Sequence, residues 1–455
     1  MIHEECGVMG AYDFDGKDVA IDLYHGLYTL QHRGQESCGI VTNDYVALHA
    51  VKGKGLVNEV FTNDNLATLK GKIGVGHVLY GYTGEQSDGV QPIVSRYCKG
   101  SMTIALNGTI TNYDELRGEL EHRGAIFQSA SHAEMVMNMI AVARTQTKSA
   151  EEAALAVAKR LKGAFSIVLM SPKKLIALRD PYGFKPLSLG KRGNAYFFSS
   201  ETAAFDVIRA QTLCDVKPGE MIKIDENGVT HYDDCVGKVA PAQCVFEFVY
   251  FARPDSFIDG KSVYRTRIDI GRELYRACPA DADVVVGVPS SGLHFALGYS
   301  YESGIEYADG IVKNSYVGRT FIKGTDADRR EAVFIKLNAL RGAIEGKDVV
   351  LVDDSIVRGT TSANLIKLIK DGGAKKVHMR IASPPFVYSC PYGSDIPERK
   401  ALAAVRMDIE GIRKSIGADS LGYLPMDAFA RVGLPENRFC GACFTGNYPD
   451  GAVGK

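Results

Sequence analysis

KDVVLVDDSIVRGTTSANLIKLIK, residues 347–370, holds more structural information than any stretch of comparable length in this chain. An apolar run delivers two adjacent acids, Asp353 and Asp354, to what reads as the C-terminal end of a strand, the place where open α/β sheets bind ligands. A tight turn follows, Ser355 and then Arg358-Gly359-Thr360-Thr361-Ser362, and it runs directly into an amphipathic helical pattern. Backbone N–H groups at a helix start beside clustered hydroxyls form a phosphate cradle. The acid pair suits ribose hydroxyls or a Mg²⁺ ion. An ordinary N-cap would account for a single Thr-Ser but not for DD followed by RGTTS. No Gly-Lys-Ser/Thr occurs here, so the loop is not a Walker A motif.

The pattern repeats outward. VVVGVPSSG (284–292), IEYADGIV (305–312) and KKVHMRIAS (375–383) read as buried strands, with helical patterns closed by glycine between them. From about residue 250 the chain is therefore α/β with a parallel, doubly wound sheet. The first half differs. Over residues 6–235, short strands such as FSIVLM (165–170), NAYFFSS (194–200) and EMIKID (220–225) alternate with glycine turns and a few helices. IALNGTITNYDELRGELEHRG (104–124) reads as a strand, an Asn107-Gly108 turn and a helix over 112–122 capped by Asn112. This half is α+β with layered sheets. The join falls in VGKVAPAQC, residues 236–244.

Composition removes several function classes. The 455 residues exceed one ordinary core, so two domains are expected. Lys plus Arg number 53 against 54 Asp plus Glu, for a net charge of -1, which argues against nucleic acid or an anionic membrane surface as partner. No apolar run approaches the roughly 18 residues of a membrane span. A soluble, cytoplasmic protein is expected, and its ten cysteines read as thiols, metal ligands or catalytic groups rather than a disulfide framework.

The chain begins MIHEECGVMG. MIHEE is too short and acidic for a secretory signal. Removing residues 1–5 as a propeptide would leave Cys6 with a thiol and a free α-amine on one carbon, a nucleophile with its own base. CGAC, residues 440–443, has a spacing seen in metal sites, which alone leaves zinc, a redox pair and a cluster open.

Taken together, CGVMG, LQHRGQESCGI, LNGTITN, RDPYGFKPLSLG, SSETAAFD, VKPGEM, FEFVYFARPDSFIDGKSVYRTR, YVGRTFI, VLVDDSIVRGTTS, YGSDIPERKALAA and CGACFTGNYP resemble the glutamine phosphoribosylpyrophosphate (PRPP) amidotransferases over nearly the whole chain. The resemblance implies an N-terminal-nucleophile (Ntn) hydrolase αββα sandwich over 6–235. A type I phosphoribosyltransferase domain over 245–455 would follow, ending in a cluster-binding tail. It implies Cys6 as the nucleophile, Asn107 and the Gly108 N–H as oxyanion hole, and Arg33 and Gly34 lining the pocket. Asp353, Asp354 and Ser355 with residues 358–362 would hold PRPP, and Ser291 would help the acids bind Mg²⁺. Arg319, in the loop Tyr316–Ile322, would face the leaving pyrophosphate. Cys244, Cys390, Cys440 and Cys443 match the ligands of a [4Fe-4S] cluster in one branch of the family, with zinc the lesser alternative. A homo-oligomer inhibited by purine nucleotides is implied as well.

The match breaks where free glutamine would be recognised. Leu79, in GHVLYGYTGE, stands where the family's arginine for the α-carboxylate is expected, and His132, in SHAEM, where the acid for the α-ammonium is expected. Hydrogen bonds to charged groups contribute roughly 1.5–3 kcal/mol each, so losing two would lower glutamine use by about 10² to 10⁴. Ser290 and Ser315 replace an acid and an arginine near the PRPP site. These departures motivate two alternatives: a paralogue using ammonia or another amide, and a PRPP- or nucleotide-binding regulator.

Overall fold

The computed structural model describes residues 6–80, 89–314 and 337–452. The leader 1–5, Ser315 and the loop Tyr316–Ile322 with Arg319 lie outside the described residues.

Among the described residues the first half contains thirteen strands: β1 Gly7–Asp13, β2 Ser37–Asn43, β3 Leu48–Lys54, β4 Ile73–Leu79, β5 Ile93–Tyr97, β6 Gly100–Ile110, β7 Gly163–Ser171, β8 Lys174–Arg179, β9 Ser188–Arg192, β10 Ala195–Ser199, β11 Gln211–Asp215, β12 Met221–Asp225 and β13 Gly228–Tyr232. They form a seven-stranded sheet, β11-β9-β10-β1-β4-β2-β3, and a six-stranded one, β13-β12-β8-β7-β6-β5. Period-2 alternation assigns each strand two faces. Val8 and Tyr12 of β1, Ile73 and Val75 of β4, and Ala105 of β6 pack together between the sheets. Met9, Ala11 and Val78 face the helix Ala20–Thr29. Ile104 and Leu106 face the helices Tyr113–His122, His132–Gln146 and Ala150–Ala158. Helix, sheet, sheet, helix is the expected αββα sandwich.

In one local feature the structure departs from the sequence reading. Asn107-Gly108 is not a turn; β6 runs through it to Ile110, paired residue for residue with β7. Gly108 adopts φ +129°, and a Cβ there would lie 2.0 Å from the Ala164 carbonyl oxygen, so the glycine serves close strand approach. The turn comes at 111–112, and the helix starts at Tyr113 behind its expected N-cap Asn112.

The second half carries a five-stranded parallel sheet, ordered Glu306–Tyr307, Val284–Gly287, Asp348–Asp353, Lys376–Ile381, Ser420–Tyr423. Val285, Val350 and Val352 pack on one face against the helices Val263–Ala277 and Leu293–Ser303. Val284, Val349 and Leu351 pack on the other against Thr360–Asp371 and Ile409–Ile416. The segment 305–312 is not a single strand of this sheet: Glu306–Tyr307 forms its edge, and Ile311–Lys313 leaves it to pair with Leu337–Ala339. Ser420–Tyr423, short and containing a glycine, has no sequence signal of its own.

Candidate active site

The αββα alternation places the first-half site. Val8 of β1 and Val75 of β4 point between the sheets, so Cys6, just ahead of β1, and His77 and Leu79 on β4 point the same way. From the facing sheet Asn107 follows Ala105 into that layer. His77 Nε2 meets the Leu106 carbonyl at 3.1 Å, tying β4 to β6 beside Asn107. Gly34 fits only without a side chain, because a Cβ there would come 2.6 Å from the Val78 and Leu79 carbonyl carbons. Cys6, Arg33, Gly34, Leu79 and Asn107 thus gather at one end of the sandwich.

Asn107 is fully buried, and neither of its amide atoms has a partner among the described residues. Backbone groups alternate along the open edge of β6. The Leu106 N–H donates to Gln91 Oε1 (2.7 Å) and the Ile110 N–H to His132 Nδ1 (2.9 Å). The Gly108 N–H lies between them on that same edge. A free side-chain amide beside an edge N–H is what an oxyanion requires. The Cys6 thiol donates to the Tyr80 carbonyl at 3.8 Å.

Arg33 lies beside Cys6 but turns its guanidinium elsewhere. Its Nε donates to the Cys6 carbonyl (3.2 Å), while Nη1 and Nη2 reach Glu201 (2.6 Å) and Glu247 (2.6 Å) in a fully buried ion cluster. Its bond to Cys6 is thus to the backbone carbonyl. His132 accepts a backbone N–H and stacks on Tyr113, ring centroids 4.4 Å apart. Burial lowers its pKa to about 4, so it is neutral near pH 7. Neither a cation at 79 nor an anion at 132 is present.

In the second half the Asp348–Asp353 strand ends as the sequence suggests. Asp353 and Asp354 are buried, and Asp353 Oδ1 accepts from the Asp354 N–H (2.9 Å) and Ser291 Oγ (3.3 Å). A Cβ at Gly292 would lie 2.2 Å from the Val352 carbonyl oxygen, so this glycine lets the Ser291 turn close onto the acids. Burial and the adjacent Asp354 carboxylate push the Asp353 pKa well above its ordinary value, a repulsion that a bound cation relieves. Ser355 Oγ bonds Asp354. Gly359, at φ +88°, caps the helix Thr360–Asp371, with Arg358 and Thr360 exposed and Ser362 buried. Ser290 is exposed.

Cys244, Cys390, Cys440 and Cys443 line one cavity. Gln243–Cys244 pairs with Phe439–Cys440, which sets Cys244 opposite Cys440. Among the described residues no three His, Cys, Asp or Glu side chains converge closely enough to hold a single ion. Four thiols around one cavity are a donor set suited to a cluster or to zinc. Cys38, Cys98, Cys214, Cys235 and Cys278 stand apart, and no disulfide is formed among the described cysteines.

Sequence reasoning missed Glu201 and Glu247, the carboxylates that hold Arg33. It also missed Arg267, a buried arginine on which the charge of Asp354 acts and whose Nε and Nη2 hold the carbonyls of Phe248 (2.7 Å), Tyr250 (3.2 Å) and Ala252 (2.8 Å). All three lie inside the family-like motifs SSETAAFD and FEFVYFARPDSFIDGKSVYRTR, so a signal was present without a role.

Residues 82–207 match a glutamine amidotransferase domain family and residues 259–382 a phosphoribosyl transferase domain family. The chain is 44% identical to an amidophosphoribosyltransferase of Methanocaldococcus jannaschii, covering 98% of this chain and 97% of the relative. It is 45% identical to one of Pyrococcus horikoshii, over 99% and 98%. The solved glutamine PRPP amidotransferase from B. subtilis, complexed with ADP and GMP, superposes with a TM-score of 0.91 at 41% identity, over 98% of this chain and 97% of that one. Full-length similarity of this kind favours neither the ammonia- or other-amide-dependent paralogue nor the regulator.

Proposed function

Because the chain belongs to the amidophosphoribosyltransferase family, we propose the following roles for its residues in the family reaction. The protein is a glutamine-dependent pentosyltransferase that converts PRPP, glutamine and water to 5-phosphoribosylamine, glutamate and pyrophosphate, the first committed step of purine synthesis. The observation that carries this is the 44% identity sustained across 98% of the chain.

After loss of residues 1–5, the Cys6 thiol attacks the glutamine side-chain amide carbon while its own α-amine takes the thiol proton and returns it to the departing ammonia. Arg33, bonded to the Cys6 carbonyl, fixes that residue's orientation. The Asn107 amide and the Gly108 N–H receive the charge on the tetrahedral oxygen. Water then releases glutamate. In the half spanning 245–455, Asp353 and Asp354 take the ribose hydroxyls, and Ser355 with Arg358, Gly359, Thr360, Thr361 and Ser362 takes the 5′-phosphate. Ammonia attacks the anomeric carbon and pyrophosphate departs toward Arg319. Mg²⁺, held by Ser291, Asp353 and Asp354, supplies positive charge to the pyrophosphate when bound. Cys244, Cys390, Cys440 and Cys443 hold a [4Fe-4S] cluster, which when bound ties the C-terminal tail to the junction of the halves. Free thiols suit a reducing cytoplasm, and no helix among the described residues is long and apolar enough to cross a membrane. A solved relative bound to ADP and GMP supports purine nucleotides as regulators, and a homo-oligomer is the assembly proposed with them.

The test is pyrophosphate release from PRPP and Mg²⁺ by anaerobically purified protein, its N-terminus checked by mass, with glutamine or ammonium as donor. The expected result is release with both in the wild type and with ammonium alone in Cys6→Ala. Glutamine-dependent release that survives Cys6→Ala would reject the assignment of the nucleophile.

A further inference from the structure

The register of the seven-stranded sheet sets four side chains abreast at the Cys6 end. Gly7 pairs with Val78, which brings Cys6 level with Leu79; Leu79 is opposite Ser37, and Ser37 is opposite Lys54. Residues directly opposite in an antiparallel pair share a face, and Val8, Val75, Val41 and Leu48 fix that face as the one between the sheets. Across β1, β4, β2 and β3 the row therefore reads thiol, apolar side chain, hydroxyl, ammonium. Its far half is uncommitted. Ser37 is 1% exposed, and its Oγ has no hydrogen-bond partner among the described residues, a state that costs a folded chain free energy. Lys54, the last residue of β3, is exposed and makes no ion pair or hydrogen bond among them. Lys52, in the next row, is by contrast engaged by the carbonyls of Val90 (3.1 Å) and Pro92 (3.2 Å). Gly39, also in that row, lets the chain at Gln91 close the layer behind Ser37, because a Cβ there would collide with the Gln91 carbonyl oxygen.

The spacing fits the substrate. Neighbouring strands lie about 4.8 Å apart, so Ser37 stands about 10 Å from Cys6. Four C–C bonds of about 1.5 Å, or about 5 Å when extended, separate the amide carbon of glutamine from its α-carboxylate carbon. A contact of about 3 Å at each end completes the span. We propose that Ser37 and Lys54 form the subsite for the α-carboxylate of glutamine, the hydroxyl donating to it and the ammonium neutralising it, while Leu79 packs on the methylene chain. This rests on the glutaminase reading of the Cys6 pocket given above, and it supplies from β2 and β3 the charge that position 79 does not carry.

The experiment measures glutamine- and ammonium-driven pyrophosphate release at saturating PRPP for wild type, Ser37→Ala, Lys54→Met and Lys54→Arg, with a thermal midpoint for each. Losing one bond to a charged group raises KM for glutamine about tenfold or more, and kcat stays as it was because the bond is made equally in the ground and transition states. That KM rise is expected in Ser37→Ala and Lys54→Met, with ammonium-driven release at the wild-type rate and the midpoint of Ser37→Ala unchanged or raised. Lys54→Arg should stay near wild type. An unchanged KM in either Ser37→Ala or Lys54→Met would overturn the subsite, and an equal rise in Lys54→Met and Lys54→Arg would overturn the role of the charge. Loss of release with both donors alongside a lowered midpoint would assign the residue to the fold and overturn the proposal. Wild type that works with ammonium alone, or glutamine use that survives Cys6→Ala, would reject the glutaminase reading itself and the proposal with it.

Discussion

Asn107 is costly to the fold it belongs to. Each buried polar group left unbonded costs roughly 1–3 kcal/mol, and both of its amide atoms are in that state. Asn107→Leu is therefore expected to leave the thermal midpoint unchanged or raise it, while lowering glutamine-dependent turnover by about 10² to 10³; a melt and a glutaminase assay on one preparation check both. Leu79 sits on the same layer without a charge to offer the α-carboxylate of glutamine. Leu79→Arg should lower KM for glutamine and raise the ratio of glutamine- to ammonium-driven release; an unchanged ratio would mean another group reads the carboxylate. His132 and His77 supply a pH dependence. Burial lowers both to about 4, against the usual value near 6.5 in the unfolded chain. Between those values the unfolded state binds the extra protons, so stability is fully present above about 6.5 and falls as pH drops toward 4, by roughly 1.4 kcal/mol per pH unit for each histidine. His132→Asn keeps an acceptor for the Ile110 N–H and cannot titrate in this range, so its midpoint-versus-pH curve should be shallower between pH 6.5 and 4.

At the scale of elements, β6 is the piece whose position decides the glutaminase half, and it is braced from behind by the segment that contains Cys390. A Cβ on Gly393 would lie 2.8 Å from Thr109 Oγ1, one residue beyond Gly108, and Gly393 itself sits at φ +104°. Tyr392 next to it stacks on Phe184 at 4.2 Å. Gly393→Ala should therefore destabilise by about 2 kcal/mol from backbone conformation alone. It should also depress glutamine-driven release more than ammonium-driven release, because the strand that moves holds Asn107. An equal loss with both donors would place the disturbance elsewhere. The parallel strands were readable because burial on both faces writes continuous apolar runs such as VVLV, and the acid pair and threonine turn because their chemistry is dense in sequence. β6 was misread because Asn-Gly signals a turn in most settings, and only the approach of β7 shows that Gly108 serves packing. Of the four clustered cysteines, spacing alone could offer only Cys440 and Cys443; Cys244 joins them through a two-residue parallel pairing that no local pattern announces.

The two halves are joined through buried charge, and this was the least legible feature because its partners are far apart in sequence. Arg33 meets Glu201 and Glu247 across 168 and 214 residues. Glu201 Oε2 also accepts from Ser256 Oγ (2.6 Å) and the Arg253 N–H (2.9 Å) of the second half. Glu247 opens the helical turn Glu247–Phe251, whose carbonyls at Phe248 and Tyr250 are held by Arg267. Contacts thus run from the Cys6 carbonyl through Arg33 and Glu247 to Arg267, which feels the charge of Asp354. Arg179 adds a second clasp, a bidentate pair with Asp259 at 2.8 Å on both arms. Glu247→Leu leaves Arg33 its ion pair with Glu201 but takes the acceptor from Nη2, so it should cost about 1–3 kcal/mol, read as a lowered midpoint in denaturant. Arg33→Met with Glu247→Leu removes that orphaned donor, and Glu201 keeps His32 Nε2, Ser256 Oγ and the Arg253 N–H as partners, so much of the loss should be recovered. The same pair of variants separates stability from coupling. If the contacts relay occupancy between the sites, PRPP should change glutaminase rate in the wild type and fail to do so in the double variant even where its stability has returned. A double variant that remains responsive to PRPP would show the network to be a fastening only.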